Sequence, residues 1–401
     1  MLTENHQDTG RPAIVLESLG DMILAAPNGR IHSQANFHSR DVGGGGNFLL
    51  TGGHSAVKHT SAAFPFKSPA VRAKLPKKAR MAYRKSLIAA GRHQANTMPP
   101  GPARTSLVES CDRFQRNNHA MEMANLSQAV YSDRGAPEGW TRLSDPDKLS
   151  ALPPGLQDPT LRNSPKTNYH AGLFQSGDGS IVLAERGTNP KNWNDVKTDL
   201  QQGWGSDTQQ YDQGMRLAQV VQKNYGDQFR DITGHSLGGG RAAADSAVTQ
   251  IPATTFNAAG LNASTIAPYG ASLQQAAGRV QNYNVDGQIL NNLKGLTIRK
   301  HTSPDPLGTN IPLAAVDPNG NALPWPTRPK PVKGEWNPMQ QGKHAVEYGK
   351  YEKAIVFDGI DRHGIDKVQN ALEKEKAEDA ANITQALKTP APSMPHPVSR
   401  V

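Results

Sequence analysis

The sequence predicts an α/β protein with a mostly parallel sheet flanked by helices and a small β-rich segment at the N-terminus. The first observation is an alternation of helix and strand patterns from Tyr211 to Gly260, which is typical of a parallel sheet. The second is a glycine-rich turn around Ser236, between a strand pattern and a helix pattern. The third is a hairpin pattern, in which two apolar runs flank the Gly/Asp turn at 176–179.

Composition divides the chain into segments of different character. Hydrophobic content is low at 36%, and glycine and proline are frequent, so we expect a globular centre with irregular flanks. We place the boundaries at 1–60 (β-rich repeat segment), 61–108 (basic, proline-containing linker), 109–365 (α/β domain) and 366–401 (charged helix and proline-rich tail). The single cysteine, Cys111, excludes an intramolecular disulfide.

The N-terminal residues predict how the protein is made and routed. They lack the basic and apolar regions of a secretory signal, so we expect synthesis in the cytoplasm without a signal peptide. Short apolar runs at 13–16, 22–24 and 31–37 alternate with turn signals, which predicts short strands. The stretch 20–31 resembles the strand repeats at the C-terminal end of type VI secretion spike proteins, the VgrG family.

Positive charge is concentrated in one stretch. The chain carries a net charge of +9, and nine basic residues with no acid lie between Phe64 and Arg92. A basic run of this kind docks on nucleic acid or anionic lipid in some proteins and is only a solvated face in others. Aromatic residues are sparse here, so we expect no nucleic-acid partner, and a non-enzymatic interaction protein remains the alternative.

The elements of the predicted domain follow one another along the chain. Apolar spacing at intervals of three and four predicts helices, and compact apolar runs between turn signals predict strands. Residues 301–343 are rich in proline, glycine and asparagine and predict a long loop. The predicted helices are 121–131, 211–225, 241–248, 345–357 and 366–388, and the predicted strands are 172–174, 180–184, 229–233, 254–256 and 279–285.

Five consecutive residues match Gly-x-Ser-x-Gly, a pattern that holds a serine on a tight turn between a strand and a helix: Gly234, His235, Ser236, Leu237 and Gly238. The turn needs glycine on both sides because the strand and the helix approach each other closely. The helix N-terminus below the serine supplies N–H groups for a developing oxyanion. We therefore expect Ser236 to be a catalytic nucleophile.

A serine hydroxyl needs an imidazole to take its proton. Four histidines follow the serine in the sequence. We expect His344 to be the base because it lies at a predicted loop-to-helix junction, and His301 is the alternative. His363 lies beyond the helix expected to close the domain, and His396 lies in the tail, so both are set aside.

The imidazole in turn needs an acceptor that holds its tautomer, usually a carboxylate. Asp286 ends a predicted strand, and the carboxyl ends of parallel strands meet at one edge of a sheet. We expect Asp286 to be the acid, with Asp305 in a Ser-Pro-Asp-Pro turn as the alternative. Capping of a turn is the alternative role for either residue.

Three motifs together resemble the class 3, fungal-type lipases, over roughly residues 120–360. The resemblance implies the α/β-hydrolase fold, an oxyanion hole made by Thr188 and the N–H of Leu237, and no metal or cofactor. Glu185 and Arg241 depart from the family's usual residues, and Gly287-Gln288 replaces its usual turn after the acid. The motifs are Arg186–Thr188 with Asn192-Trp193 and Asp199-Leu200, then Thr233–Gly239, and then Val285-Asp286 with His344 before a terminal helix.

These features predict a serine esterase of lipase or phospholipase type that works through Ser236, His344 and Asp286 at a membrane surface. The protein also resembles the antibacterial phospholipase effectors of type VI secretion. That resemblance implies secretion, a cognate immunity protein, a secretion spike as partner and action on the membrane of a target cell. A hydrolase of the same fold acting on a non-lipid ester, thioester or amide is the other alternative.

Overall fold

The computed structural model describes residues 14–18, 21–25, 77–132, 134–188, 208–292, 304–330 and 338–388. The chain forms two compact units. One unit comprises residues 120–372, and the other comprises residues 1–119 together with 373–401. The domain boundaries given above stay predictions, although most of the expected 109–365 domain falls in the first of these units.

The second unit contains a hairpin and helical segments. Strands β1 (Ile14–Ser18) and β2 (Asp21–Ala25) pair antiparallel within the predicted β-rich segment. Helices α1 (Lys77–Thr97) and α2 (Pro102–Ala129) occupy much of the stretch expected to be a basic linker. Their apolar side chains pack with the end of the C-terminal helix, and this core comprises Leu87, Ala95, Leu107, Cys111, Phe114, Ala380 and Ile383.

The larger unit is built on an eight-stranded sheet with the order β10-β9-β8-β7-β6-β5-β3, and β4 pairs with β5 off this path. Strands β6 to β10 are parallel neighbours, and β3, β4 and β6 each run antiparallel to β5. The strands are β3 (Trp140–Arg142), β4 (Asn163–Ser164), β5 (Tyr169–Ser176), β6 (Ile181–Glu185), β7 (Phe229–His235), β8 (Ala253–Phe256), β9 (Val280–Val285) and β10 (Thr309–Leu313). The predicted α/β class with a mostly parallel sheet is confirmed.

Helices accompany the sheet along the chain. The two helices that flank β7 follow the predicted positions closely, and the last two helices are long. They are α3 (Thr208–Tyr225), α4 (Leu237–Thr249), α5 (Ala263–Ile266), α6 (Leu273–Ala276), α7 (Ile289–Asn292), α8 (Pro338–His363) and α9 (Ile365–Lys388). Within the part of the chain that the structure describes, none of the helices has the length and apolarity needed to cross a bilayer.

The sheet is covered on both faces, as the alternation of β6 side chains shows. Leu183 belongs to a core cluster with residues of α3 and α4, such as Met215 and Ala243. Its neighbour Val182 belongs to a second cluster with residues of α2 and α9. Successive strand residues point to opposite faces, so the sheet lies between two helical layers.

Parallel pairing brings the carboxyl ends of β6, β7, β8 and β9 to one edge. The register pairs Glu185 with Gly234, and His235 with Phe256. The loops that follow these strands therefore meet at this edge, where ligands bind in open α/β sheets. Two described elements fall in the predicted long loop: strand β10, whose pairing with β9 depends on contacts distant in sequence, and the start of α8 at Pro338.

Candidate active site

Ser236 occupies a strained turn between β7 and α4. Its backbone has φ 60° and ψ −128°, a conformation that a residue with a side chain rarely adopts. A Cβ at Gly234 would lie 2.2 Å from the Gly238 carbonyl oxygen, and one at Gly238 would lie 2.3 Å from that of Glu185. Only glycine fits at both positions, so the turn exists because of the two glycines of the motif.

The imidazole that meets the serine belongs to His363, the last residue of α8. Its Nε2 lies 2.8 Å from Ser236 Oγ, and its Nδ1 lies 2.8 Å from Gln288 Oε1. His363 is buried, whereas Ser236 is half-buried. The three side chains form a line of hydrogen bonds with the order expected for nucleophile, base and acceptor.

The expected base, His344, lies elsewhere on the same helix. Helix α8 begins at Pro338 and runs to His363, so His344 is inside the helix and not at its start. The two histidines are 363 − 344 = 19 residues apart, which corresponds to roughly 28 Å along an α-helix. The ring of His344 is half-buried and stacks on Tyr348 with 6.2 Å between centroids. The structure thus places His363 where we expected His344.

The expected acids are not the partner of His363 Nδ1. Asp286 follows β9 directly and is exposed, and its backbone N–H donates to the Leu313 carbonyl. Asp305 is also exposed. The alternative base His301 lies outside the described residues. The hydrogen bond from His363 goes instead to Gln288, two residues beyond Asp286.

Gln288 is fully buried, and its amide oxygen accepts two hydrogen bonds. One comes from His363 Nδ1, and the other comes from the backbone N–H of Leu290 at 2.9 Å. Two donors facing the same atom identify that atom as the oxygen and not the nitrogen of the amide. The amide therefore selects the tautomer of His363 that leaves Nε2 free to accept a proton from Ser236.

The backbone of His363 is also held in place. Its carbonyl accepts from His235 Nε2 at 2.7 Å and from Asn257 Nδ2 at 2.9 Å. Because His235 donates from Nε2, its Nδ1 is the acceptor for the Tyr131 hydroxyl at 3.1 Å. Asn257 follows β8 and also accepts from Val285 N–H at 2.8 Å, which ties the end of α8 to the sheet edge.

Burial sets the protonation of both histidines. Burial, with a smaller contribution from His235, holds the pKa of His363 well below its ordinary value. Burial also lowers the pKa of His235 to about 4. Both rings are therefore neutral at pH 7, and neutral His363 is able to accept a proton.

The expected oxyanion groups lie next to the serine in sequence or in space. Leu237 is the first residue of α4, so its N–H has no acceptor within the helix. Gly187 packs on the elbow, because a Cβ there would lie 2.5 Å from the His235 carbonyl oxygen and 3.2 Å from Ser236 Cβ. Thr188 follows Gly187 and is half-buried. Their role as oxyanion hole remains a prediction.

The two residues that depart from the fungal-lipase pattern are partners of each other. Glu185 Oε2 lies 3.3 Å from Arg241 Nε, and both side chains are buried. The Tyr169 hydroxyl donates to Glu185 at 2.5 Å, and the Arg241 guanidinium lies 5.3 Å from the Tyr169 ring centroid. Each of these two residues is therefore the buried ionic partner of the other.

A serine held at positive φ between a strand and a helix, with a buried neutral imidazole on its hydroxyl, is the arrangement expected of the nucleophile elbow in an α/β fold. Residues 122–316 match the family model described as "Phospholipase-like: Tle-like phospholipase domain". The chain is 33% identical over 287 residues to "Extracellular phospholipase A1" of Serratia liquefaciens, which covers 70% of this chain and 78% of that protein. The chain belongs to this phospholipase family.

Two residues of the site were missed by sequence reasoning. His363 lies beyond the end of the predicted helix 345–357, although an apolar helical pattern that would extend this helix continues to Ile360. Gln288 carries no signal of its own in the sequence, because the position beside a catalytic imidazole is usually held by a carboxylate. Among the described residues no group of three or more histidine, cysteine or acidic side chains is arranged to hold a metal ion.

Proposed function

We propose that the protein is a phospholipase A-type serine esterase that removes an acyl chain from phospholipids. The observation that carries the proposal is the 2.8 Å contact between His363 Nε2 and Ser236 Oγ on the strained elbow. Membership of the phospholipase family supports a lipid ester as the substrate. The name of the Serratia relative, a phospholipase A1, favours the ester at the first position of the glycerol.

The reaction follows from the positions of these atoms. Ser236 Oγ attacks the acyl carbonyl carbon while His363 Nε2 takes the hydroxyl proton. Thr188 and the N–H of Leu237 hold the oxyanion. His363 then gives its proton to the glycerol oxygen as the acyl C–O bond breaks, which releases a lysophospholipid. Water, activated by His363, attacks the acyl-serine ester and releases the fatty acid.

Product analysis from mixed phospholipid vesicles tests this proposal. The vesicles carry a saturated chain at the first glycerol position and an unsaturated chain at the second, so the released fatty acid identifies the ester that is cut. We expect saturated fatty acid and its lysophospholipid from the wild type. Ser236→Ala should lower kcat by roughly a million-fold with an unchanged melting temperature.

Two results would contradict the proposal. Undiminished turnover in Ser236→Ala would mean that the nucleophile is another residue. Turnover of soluble short-chain esters, thioesters or amides without any turnover of phospholipid would favour the non-lipid alternative.

We also propose that the protein acts outside the cell that makes it, as an antibacterial effector with a cognate immunity protein and a secretion spike as partners. The word "extracellular" in the name of the Serratia relative supports the location. The β1–β2 hairpin supports the spike resemblance, because β2 lies within the stretch 20–31 that resembles spike repeats. Directing the chain to a bacterial periplasm should kill the cell, Ser236→Ala should not, and survival in both cases would contradict the effector role.

A further inference from the structure

The acceptor on the catalytic imidazole is an uncharged amide. Gln288 Oε1 lies 2.8 Å from His363 Nδ1, which is the position that a carboxylate occupies in most Ser-His-acid sites. The exposed carboxylate of Asp286 is two residues away, but the hydrogen bond goes to the glutamine. Leu290 N–H fixes the oxygen toward the histidine, and the buried amide nitrogen of Gln288 has no hydrogen-bond partner among the residues that the structure describes.

We propose that Gln288 is the third catalytic-site side chain after Ser236 and His363. Its uncharged amide oxygen accepts the hydrogen bond from His363 and so positions the imidazole. This inference rests on the proposed function, since it concerns the base of that reaction. A neutral amide holds the tautomer and the orientation of the imidazole as a carboxylate does. It adds no negative charge to stabilise the imidazolium, so the enzyme stays active at a lower pH than a carboxylate partner would allow.

Other titratable groups near His363 stay the same in the variants proposed below. His235 contacts the His363 ring at 4.9 Å between centroids, and Tyr131 in turn contacts His235. Arg362 is paired with Asp358 at 2.6 Å. The negative charge of Asp366 on α9 favours the protonated form of His235, and Asp286 is exposed. A change in the pH profile on substitution of residue 288 is therefore assigned to that residue.

The test compares Gln288→Glu with the wild type in the pH dependence of kcat/KM on a soluble ester. The new carboxylate favours the imidazolium form of His363, so the acidic limb of the kcat/KM profile should shift to higher pH by at least about one pH unit. The plateau kcat should rise roughly ten-fold, because the imidazolium formed in the transition state gains a counter-charge. The matched control Gln281→Glu adds the same charge at an exposed position of β9 and should leave the profile unchanged.

Gln288→Leu removes the acceptor and keeps much of the volume. We expect kcat to fall by roughly a hundred-fold with KM nearly unchanged, because the tautomer and orientation of the base are lost. An unshifted acidic limb in Gln288→Glu would overturn the proposal, whether or not Gln288→Leu folds. A loss of kcat in Asp286→Asn, with the Gln288 variants unaffected, would assign the role to Asp286. If the wild type turns over no ester at all, the proposed function fails instead.

A second, independent observation concerns the surface of α8. The large apolar side chains exposed in the described part of the larger unit are Trp325, Val346 and Phe357, which are 48%, 60% and 64% exposed. Val346 and Phe357 lie on α8, and Trp325 packs on Arg362 of the same helix at 4.3 Å. Two of the three therefore lie on the helix that carries His363, and the third packs against it.

The apolar residues of α8 alternate with lysines on one stripe. Val346, Lys350, Lys353 and Phe357 follow each other at intervals of four, three and four, so they lie on one face of the helix, and all four are exposed. Lys343, also exposed, lies one turn before Val346 on the same side. Apolar side chains flanked by lysines on one helix face match the interface of an anionic bilayer.

We infer that this face, defined here as the α8 surface (Lys343, Val346, Lys350, Lys353 and Phe357) together with Trp325, docks on an anionic phospholipid bilayer. This inference also rests on the proposed function. Phe357 lies six residues before His363, about 9 Å along the helix, so docking would bring the bilayer near the catalytic end of α8. Exposed Glu347 borders the surface, and Asp361 near its end is paired with Lys367 at 3.2 Å.

Vesicle co-sedimentation of Ser236→Ala protein tests the docking without turnover. The vesicles contain phosphatidylcholine with or without phosphatidylglycerol. Val346→Ser/Phe357→Ser should weaken binding roughly ten-fold or more. The control Met81→Ser changes a side chain that is 38% exposed outside the larger unit and should bind normally. Equal loss in this control would overturn the proposal.

The charge contribution is tested separately. Lys350→Glu/Lys353→Glu should weaken binding to the anionic vesicles, with a steep salt dependence, and have little effect on neutral ones. The control Lys166→Glu/Lys223→Glu changes exposed lysines elsewhere in the unit by the same amount. Equal effects of the two pairs would show that net charge acts and not this surface. Wild-type turnover of a soluble ester tests the proposed function apart from the docking.

Discussion

The neighbours of Ser236 force its backbone into a conformation that a residue with a side chain rarely adopts. The positive φ of 60° projects the hydroxyl away from the sheet edge, toward the end of α8. His363 meets it there because its carbonyl is held by His235 and Asn257, which come from the ends of β7 and β8. The residues of the site are thus positioned by backbone hydrogen bonds as much as by side-chain contacts.

At the residue scale, the two histidines of α8 should behave differently. We expect His363→Ala to lower kcat on a soluble ester by roughly ten-thousand-fold or more, because Ser236 loses its base. His344→Ala should keep kcat within about two-fold, since it is a full 19 residues away on the same helix (363 − 344). Steady-state kinetics on the purified variants distinguishes them. A similar loss in both variants would mean that α8 bends to bring His344 to the serine.

At the element scale, α4 follows the turn at Ser236 directly and contributes Arg241 and Asp245 to a buried charged cluster. Glu185 and Asp245 are both fully buried, and Arg241 is the cation paired with Glu185. Burial and the neighbouring Glu185 raise the pKa of Asp245 well above its ordinary value. One arginine does not neutralise two buried carboxylates. The carboxyl groups of Glu185 and Asp245 therefore keep one proton between them in the folded protein, which the unfolded chain would release.

This cluster predicts a stability that falls as pH rises. The pKa of Asp245 is raised in the folded protein, so the folded protein binds more protons than the unfolded chain. The free energy of unfolding therefore falls as pH rises from the pKa of the unfolded carboxyl to that of the folded one. Asp245→Asn mimics the protonated group and should stabilise the protein at about pH 8.5 by at least about 1–2 kcal/mol more than at about pH 4, where the carboxyl of the unfolded chain is itself partly protonated. Urea unfolding at the two pH values measures this, with exposed Asp147→Asn as control. Destabilisation at the higher pH would show that the ionised pair is favourable.

At the scale of the whole molecule, two buried, neutral histidines lie together at the edge of the sheet. His235 and His363 both have a pKa below the ordinary value because they are buried. Their protonation is favoured in the unfolded chain, where each ring is hydrated. The burial that keeps His363 neutral should therefore also lower the stability of the protein in acid.

We expect the free energy of unfolding to fall as pH is lowered from about 6.5, where unfolded histidine begins to bind protons, to the folded pKa values. For His235 the window extends to about 4. Each of the two histidines contributes roughly 1.4 kcal/mol per pH unit within its window. Urea unfolding across this range should show a smaller slope for His235→Gln than for wild type. Exposed His93→Gln is the control, and an equal slope in all three proteins would contradict the assignment.

Local patterns in the sequence determined the glycine turn around Ser236, the β5–β6 hairpin and the helices on either side of β7. Each depends on residues close in the chain, as with the two glycines around Ser236, so the pattern alone predicts it. The resemblance to a lipid esterase was confirmed at the level of the phospholipase family.

The tertiary structure decided which side chains line up with Ser236. His363, the proposed base, lies 127 residues after Ser236, and Gln288, its proposed acceptor, lies 75 residues before His363, so no local pattern connects them. The outcome depends on the length of α8, which carries His363 rather than His344 to the sheet edge. It also depends on the turn after β9, which buries Gln288 and leaves Asp286 in solvent. Helix length and side-chain burial are settled by packing against the whole fold, and one-dimensional spacing does not fix either of them.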